Sequence, residues 1–165
     1  MLQFQHHNTR IKMMALETFT TEINGRTFEV REFDGETALE LVTDMLQLAA
    51  PMLAGAGKKY DSNKPLTEQE VDIDSMVSSL SASLSTPKVK GLVMRLLKNT
   101  TLQDQRENGT FPVNVGSGFS TVFTARNLLK DLPPLLGFVI RENFGGFSGL
   151  VSYISHIGGG VQASK

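Results

Sequence analysis

Thr18-Phe19-Thr20-Thr21-Glu22-Ile23-Asn24-Gly25-Arg26-Thr27-Phe28-Glu29-Val30-Arg31-Glu32 is the stretch that decides the fold. Phe19, Thr21 and Ile23 share one face of a strand, and Phe28 and Val30 share one face of its partner. Between them stands Asn24-Gly25, the dipeptide best suited to a two-residue hairpin turn, because both central positions need positive φ. A lone hairpin is marginal in water, so this one must dock on something.

The residues after the hairpin read as helix. Asp34 is placed to cap a helix over 35–53, whose apolar positions Ala38, Leu41, Val42, Met45, Leu48, Ala49 and Met52 form a broad stripe. Pro51 marks a kink or a stop near its end. Residues 54–64 read as a flexible loop. Thr67 and Glu70 make a capping box, with Leu66 and Val71 as a hydrophobic staple. The helix they start carries Ile73, Met76, Val77, Leu80 and Leu84, with serines on the other face. Thr86 with Pro87 opens a third helix, whose apolar face is Val89, Leu92, Val93, Leu96 and Leu97. Residues 99–118 read as polar and irregular, with at most a short hairpin near Asn108-Gly109. A helix is expected over 119–132, broken by Pro133-Pro134, and a last apolar helix over 135–144.

Composition excludes more than it assigns. A chain of 165 residues fits one domain and suffices for a core. Net charge is -1, so no global field draws it to nucleic acid or an anionic membrane. There is no cysteine, hence no disulfide or thiolate metal site, in keeping with a reducing compartment. The N-terminus lacks a secretory signal pattern, and no apolar run reaches the roughly 18 residues of a spanning helix.

Catalytic chemistry finds no support. Gly55-Ala56-Gly57-Lys58-Lys59 suggests a phosphate loop. Yet Met52 stands where the first glycine belongs, Lys59 replaces Ser or Thr, and the segment follows a helix rather than a strand. His6, His7 and His156 have no carboxylate at ligand spacing, so neither a metal site nor a general base is expected, and no cofactor. Lys88, Lys90, Arg95 and Lys98 make a local basic patch, but without aromatics for base stacking it reads as a solvated face.

The C-terminal quarter carries the strongest functional signal. After Glu142 no charged residue occurs until Lys165, while Phe144, Phe147, Leu150, Val151, Tyr153 and Ile154 fall in that span. An apolar surface of that size is an interaction site or a liability. Phe147, Leu150, Val151 and Ile154 follow helical spacing, which suits either a helix folded on the core or a partner-binding segment. The expected binding residues are Phe138, Phe144, Phe147, Leu150, Tyr153 and Ile154.

The order of elements resembles the tail assembly chaperones of long-tailed bacteriophages. The resemblance rests on Arg26-Thr27-Phe28-Glu29-Val30-Arg31-Glu32-Phe33 before the first helix and on Asn143-Phe144-Gly145-Gly146-Phe147 closing the last. It covers residues 17–150, while 99–118 and 148–165 have no counterpart in the pattern. It implies a non-enzymatic protein of the host bacterial cytoplasm. Such a protein binds the apolar helical tape measure protein and promotes assembly of tail tube protein around it. It is not retained in the virion, and self-association is compatible with that role. The competing classes are a virion structural protein, such as a tail-completion or connector subunit, and a cytoplasmic adaptor unrelated to phage. The expected architecture is α+β, mostly α, with the N-terminal hairpin packed on a small helical bundle. The expected divisions are a flexible arm over 1–16, a chaperone domain over 17–147 and an apolar, Gly-rich extension over 148–165.

Overall fold

Around Asn24 and Gly25, at φ 51° and 77°, strands β1 (Thr18–Ile23) and β2 (Arg26–Arg31) form the expected hairpin. A computed structural model of the protein describes residues 15–55 and 73–144. The hairpin does not stand alone in it. Residues 100–114, read from the sequence as largely irregular with a short hairpin near Asn108-Gly109, form a second full hairpin about that turn, β3 (Thr100–Arg106) and β4 (Gly109–Asn114). β3 pairs antiparallel with β2, Phe28 opposite Leu102 and Val30 opposite Thr100. The result is a four-stranded antiparallel sheet in the order β1-β2-β3-β4. This corrects the expectation of a lone hairpin packed on a small helical bundle.

The physical reason is visible in the alternation. Only one face of the second hairpin is covered, by Thr100, Leu102 and Val113, while Thr101, Gln103, Gln105, Thr110, Pro112 and Asn114 share the other. With so few apolar residues, the stretch carries almost no hydrophobic signal of its own. It becomes sheet because β2 offers a partner whose inward residues, Phe28 and Val30, are already fully buried.

The helices are α1 (Gly35–Gly55), α2 (Ile73–Ala82), α3 (Pro87–Leu96), α4 (Phe119–Val122) and α5 (Leu128–Phe144). Asp34 caps α1 as expected, accepting hydrogen bonds from the Thr37 N–H at 2.9 Å and the Thr37 hydroxyl at 2.8 Å. α1 continues through Pro51 to Gly55, so that proline is not a stop. The capping box at 67–70 lies outside the described residues. Thr86 stands at the N-cap of α3 with Pro87 following, but its side chain makes no capping bond. The core joins Leu41, Met45, Met76, Leu80, Val93, Leu96, Leu135, Leu136 and Ile140 to the sheet residues Ile23, Phe28, Val30 and Leu102. Each such fully buried side chain is worth about 1.5–3 kcal/mol of transfer free energy.

The last third of the chain departs most from sequence expectation. No single helix spans 119–132. α4 is one turn, and Phe123 is already extended at φ -108°, ψ 116°. The break belongs to Asn127, whose Oδ1 accepts the Thr124 N–H at 2.7 Å while its Nδ2 donates to the Val122 carbonyl at 3.2 Å. Pro133 and Pro134 lie inside α5 instead of ending a helix. A proline leaves the carbonyl four residues back without its helical donor. For Pro134 that carbonyl is Lys130, and the Asn24 side-chain amide donates to it at 3.4 Å. The hairpin turn thus takes up part of the hydrogen bonding that the helix gives up.

That contact is one part of a larger lock. Asp131 is 2% exposed; its Oδ1 accepts Asn24 Nδ2 at 2.7 Å and its Oδ2 accepts Arg26 Nη1 at 2.8 Å. The other end of the guanidinium donates from Nη2 to the Val122 carbonyl at 2.9 Å. At the far end of α5, Asn143 Oδ1 accepts the Phe33 N–H at 2.8 Å, and the Phe33 and Phe144 rings stack with centroids 6.3 Å apart. From Arg26 to Phe33 an extended chain runs about 23 Å. From Asp131 to Asn143 a helix runs about 18 Å. The two spans match closely enough for α5 to be fastened to the β2 segment at both ends.

Three outcomes are expected. Asp131→Ala leaves a largely buried guanidinium unpaired and lowers unfolding free energy by about 2–4 kcal/mol in urea titrations, since the charge it strands is mostly inside. Glu29→Ala, on the polar face of the sheet, changes it by less than about 0.5 kcal/mol. The Asp34 carboxyl is held below its ordinary value by the Thr37 backbone and hydroxyl hydrogen bonds. Its contribution is therefore complete above the unfolded-state value and is lost as pH falls through the depressed folded-state value. Asp34→Ala should lower Tm at neutral pH, with the gap from the parent closing in acid.

Candidate functional site

No catalytic constellation was legible in the sequence, and the residues expected to act are those of a binding surface. Of the six residues expected to bind a partner, the structure describes two. Phe138 and Phe144 both lie on α5 and are partly buried against the core. Phe144 is engaged in the stack with Phe33. Phe147, Leu150, Tyr153 and Ile154 lie outside the described residues, as do His6, His7 and His156.

The described surface has its own apolar points. Leu129, in the first turn of α5, is 76% exposed; Phe111 on β4 is 43% exposed, with the Arg106 guanidinium 5.2 Å from its ring centre. Arg106 is also paired to Asp104 at 2.8 Å. Leu39 and Leu16 are exposed singly, and isolated apolar residues on a surface are ordinary. Phe111 belongs to the covered face of the sheet by register, since it pairs with Asp104. It stands near the hairpin tip, beyond the part of that face whose residues are buried.

Two shallow depressions adjoin at Arg95. One, of about 490 Å³, lies between α1 and α3 and is lined by Asp44, Gln47, Leu48, Lys88 and Gly91. The other, of about 430 Å³, lies between the end of α3 and the segment after β4, beside Lys98, Asn114 and Gly116. A Cβ at Gly116 would stand 3.0 Å from the Lys98 Cα, so glycine is what allows that segment to lie against the end of α3. Arg95 is not free to receive an anion. It is ion-paired to Asp44 and, at 3.3 Å, to Glu40. The basic patch read from the sequence therefore loses its arginine to α1, and only lysines remain.

No group of three or more metal-ligating side chains occurs among the described residues. The buried carboxylate, Asp131, is fully used by Asn24 and Arg26. No helix among the described residues is long and apolar enough to cross a membrane.

What the sequence reading missed is that its two family-like motifs meet in space. Arg26 and Phe33 of the strand motif reach Asp131 and the Asn143-Phe144 pair of the closing motif. The sequence carried no clear signal of this, because Asp131 stands beside Lys130 in a helix that also holds Arg141 and Glu142. Residues 24–151 match the model for the phage tail assembly chaperone protein, TAC. The chain belongs to the phage tail assembly chaperone family. The match begins at the hairpin turn, takes in both fastenings of α5, and extends seven residues past the last described position. No curated protein and no solved structure matches the chaperone.

The placement of Phe144 has a measurable consequence. Phe144→Ala should cost about 1–2 kcal/mol by thermal or urea unfolding, below the roughly 3–5 kcal/mol of a fully buried phenylalanine. A ring held free for a partner would show no such cost.

Proposed function

We propose that this chaperone binds the apolar, helical tape measure protein in the cytoplasm of the infected bacterium and keeps it soluble. It then promotes addition of tail tube protein around it and is not retained in the virion. Family membership carries this reading. The composition of the C-terminal segment supports it. From Asn143 to Ser164 there is no charge, and Phe147, Leu150, Tyr153 and Ile154 supply apolar side chains. That segment begins at the fastening of α5 by Asn143 and Phe144, so whatever it binds is coupled to a fixed point on the domain. Burying three or four such side chains is worth on the order of 5–10 kcal/mol before ordering costs. That suits reversible capture by a protein that must later be displaced.

Seven methionines add adaptable apolar groups, with Met45 and Met76 committed to the core. No described cavity is of the deep, enclosed kind that a small-molecule substrate needs.

Co-expression with the tape measure protein of the same phage is the direct test. The full chain should raise the soluble fraction of that protein severalfold. A chain lacking residues 145–165 should keep nearly the parent Tm and lose the effect. No gain in solubility with the full chain contradicts the proposal, and a truncated chain that unfolds assigns the segment to the core instead. Mass spectrometry of purified particles addresses retention: stoichiometric amounts of the chain would favour a structural subunit of the tail.

A further inference from the structure

The two edges of the sheet are unlike, and the difference follows from hydrogen-bond parity. The Glu32 N–H donates to the Glu17 carbonyl at 2.8 Å, which makes the odd-numbered residues of β1 the ones bonded to β2. Thr18, Thr20 and Glu22 therefore direct their N–H and C=O groups away from the sheet. No described residue bonds to them. On the opposite edge, the Val115 N–H donates to the Thr100 carbonyl at 2.9 Å, so Thr110, Pro112 and Asn114 face outward from β4. Pro112 stands in the middle of that row and has no N–H to give. The Asn114 carbonyl is already taken by the Gly118 N–H at 2.9 Å. The β4 edge is thus blocked against strand addition, and the β1 edge has neither proline nor lysine to block it.

We infer that β1 is a self-pairing edge, through which two copies of this chain join antiparallel about a two-fold axis at Thr20. The register is dictated by three constraints. Only the even residues offer free backbone groups. The pleat must keep the polar face of one sheet level with the polar face of the other, which again pairs even with even. Like charges must not meet. Glu22 opposite Glu22 fails the last constraint. Thr20 opposite Thr20, with Thr18 opposite Glu22 of the second copy, satisfies all three and uses every free group of the strand. On the polar face, Thr18 is flanked within its own chain by Arg31, its partner in β2. Glu22 then lies two strand spacings, about 10 Å, from Arg31 of the second copy, with only a threonine between. The extended glutamate and arginine side chains span that gap, so each edge carries one end of two symmetric charge pairs. On the other face, Phe19 is only half-buried although it points toward the helix layer. The same register sets it against Thr21 of the second copy, where its ring gains cover. Because the β4 edge is blocked, pairing ends at two copies and forms an eight-stranded sheet in place of a filament.

The absence of cysteine makes the register directly testable. Paired residues at such a site stand about 5.5 Å apart at Cα, within the range a disulfide spans. The full chain carrying Thr20→Cys should cross-link to itself under mild oxidation, while Thr110→Cys, on the blocked edge, should not. Thr18→Cys mixed with Glu22→Cys should give the heterodimer in preference to either homodimer. Sedimentation of the parent should show a species of twice 18.1 kDa that dissociates on dilution. Thr20→Pro removes a donor that β2 does not use and should shift that equilibrium toward monomer at least tenfold, with circular dichroism confirming the fold. A parent that stays monomeric at 100 µM and no cross-link at Thr20→Cys overturn the inference; the edge then belongs to residues 1–14 or to a strand of another protein. A folded Thr20→Pro variant that still dimerises overturns it as well.

Discussion

The buried carboxylate of Asp131 organises the molecule. A charge in that position is costly unless every oxygen has a partner, and here one oxygen takes the Asn24 amide and the other the Arg26 guanidinium. Those two residues flank Gly25 at the two-residue turn between β1 and β2. The lock therefore specifies which helix lies over the hairpin and at which turn. Arg26 passes the constraint on to the Val122 carbonyl, which Asn127 also holds, so the break between α4 and α5 is part of the same network. Removing one partner of such a buried pair strands a charge, which is why the lock tolerates no partial version of itself.

From that point the rest of the domain follows in order. α5 leaves the lock and is caught again at Asn143 and Phe144 by the residue that ends the β2 segment, Phe33. With α5 held over β1 and β2, the remaining helices fill the same side, and the opposite face of the sheet stays polar. The salt links of Arg95 to Glu40 and Asp44 join α3 to α1 at the surface, where such pairs add little energy but bias the pairing of helices.

In this member of the phage tail assembly chaperone family, the arrangement joins a domain closed by polar contacts to a charge-free stretch of sequence. The domain is locked by the polar contacts of Asp131 and Asn143. The charge-free sequence beyond Glu142 is attached to it at the fastened end of α5.

The sequence by itself determined the local pieces. Asn24-Gly25 admits hardly any turn but the one observed, Asp34 with Thr37 makes its cap from neighbours, and the stripes of α1, α2 and α3 show the periods of buried helices. Three things were decided only by tertiary structure. Residues 100–114 carry few apolar side chains, so their strand character came from the open edge of β2 rather than from their own pattern. The proline pair reads locally as a break, yet α5 runs through it with Asn24, far away in sequence, donating to one of the freed carbonyls. Asp131 reads locally as one solvated acid in a helix, and only the arrival of Arg26 and Asn24 makes it the buried centre of the fold. In each case the deciding partner lies about 70 to 110 residues away. Propensity and periodicity are sums over neighbours along the chain, and they contain no term for such a partner.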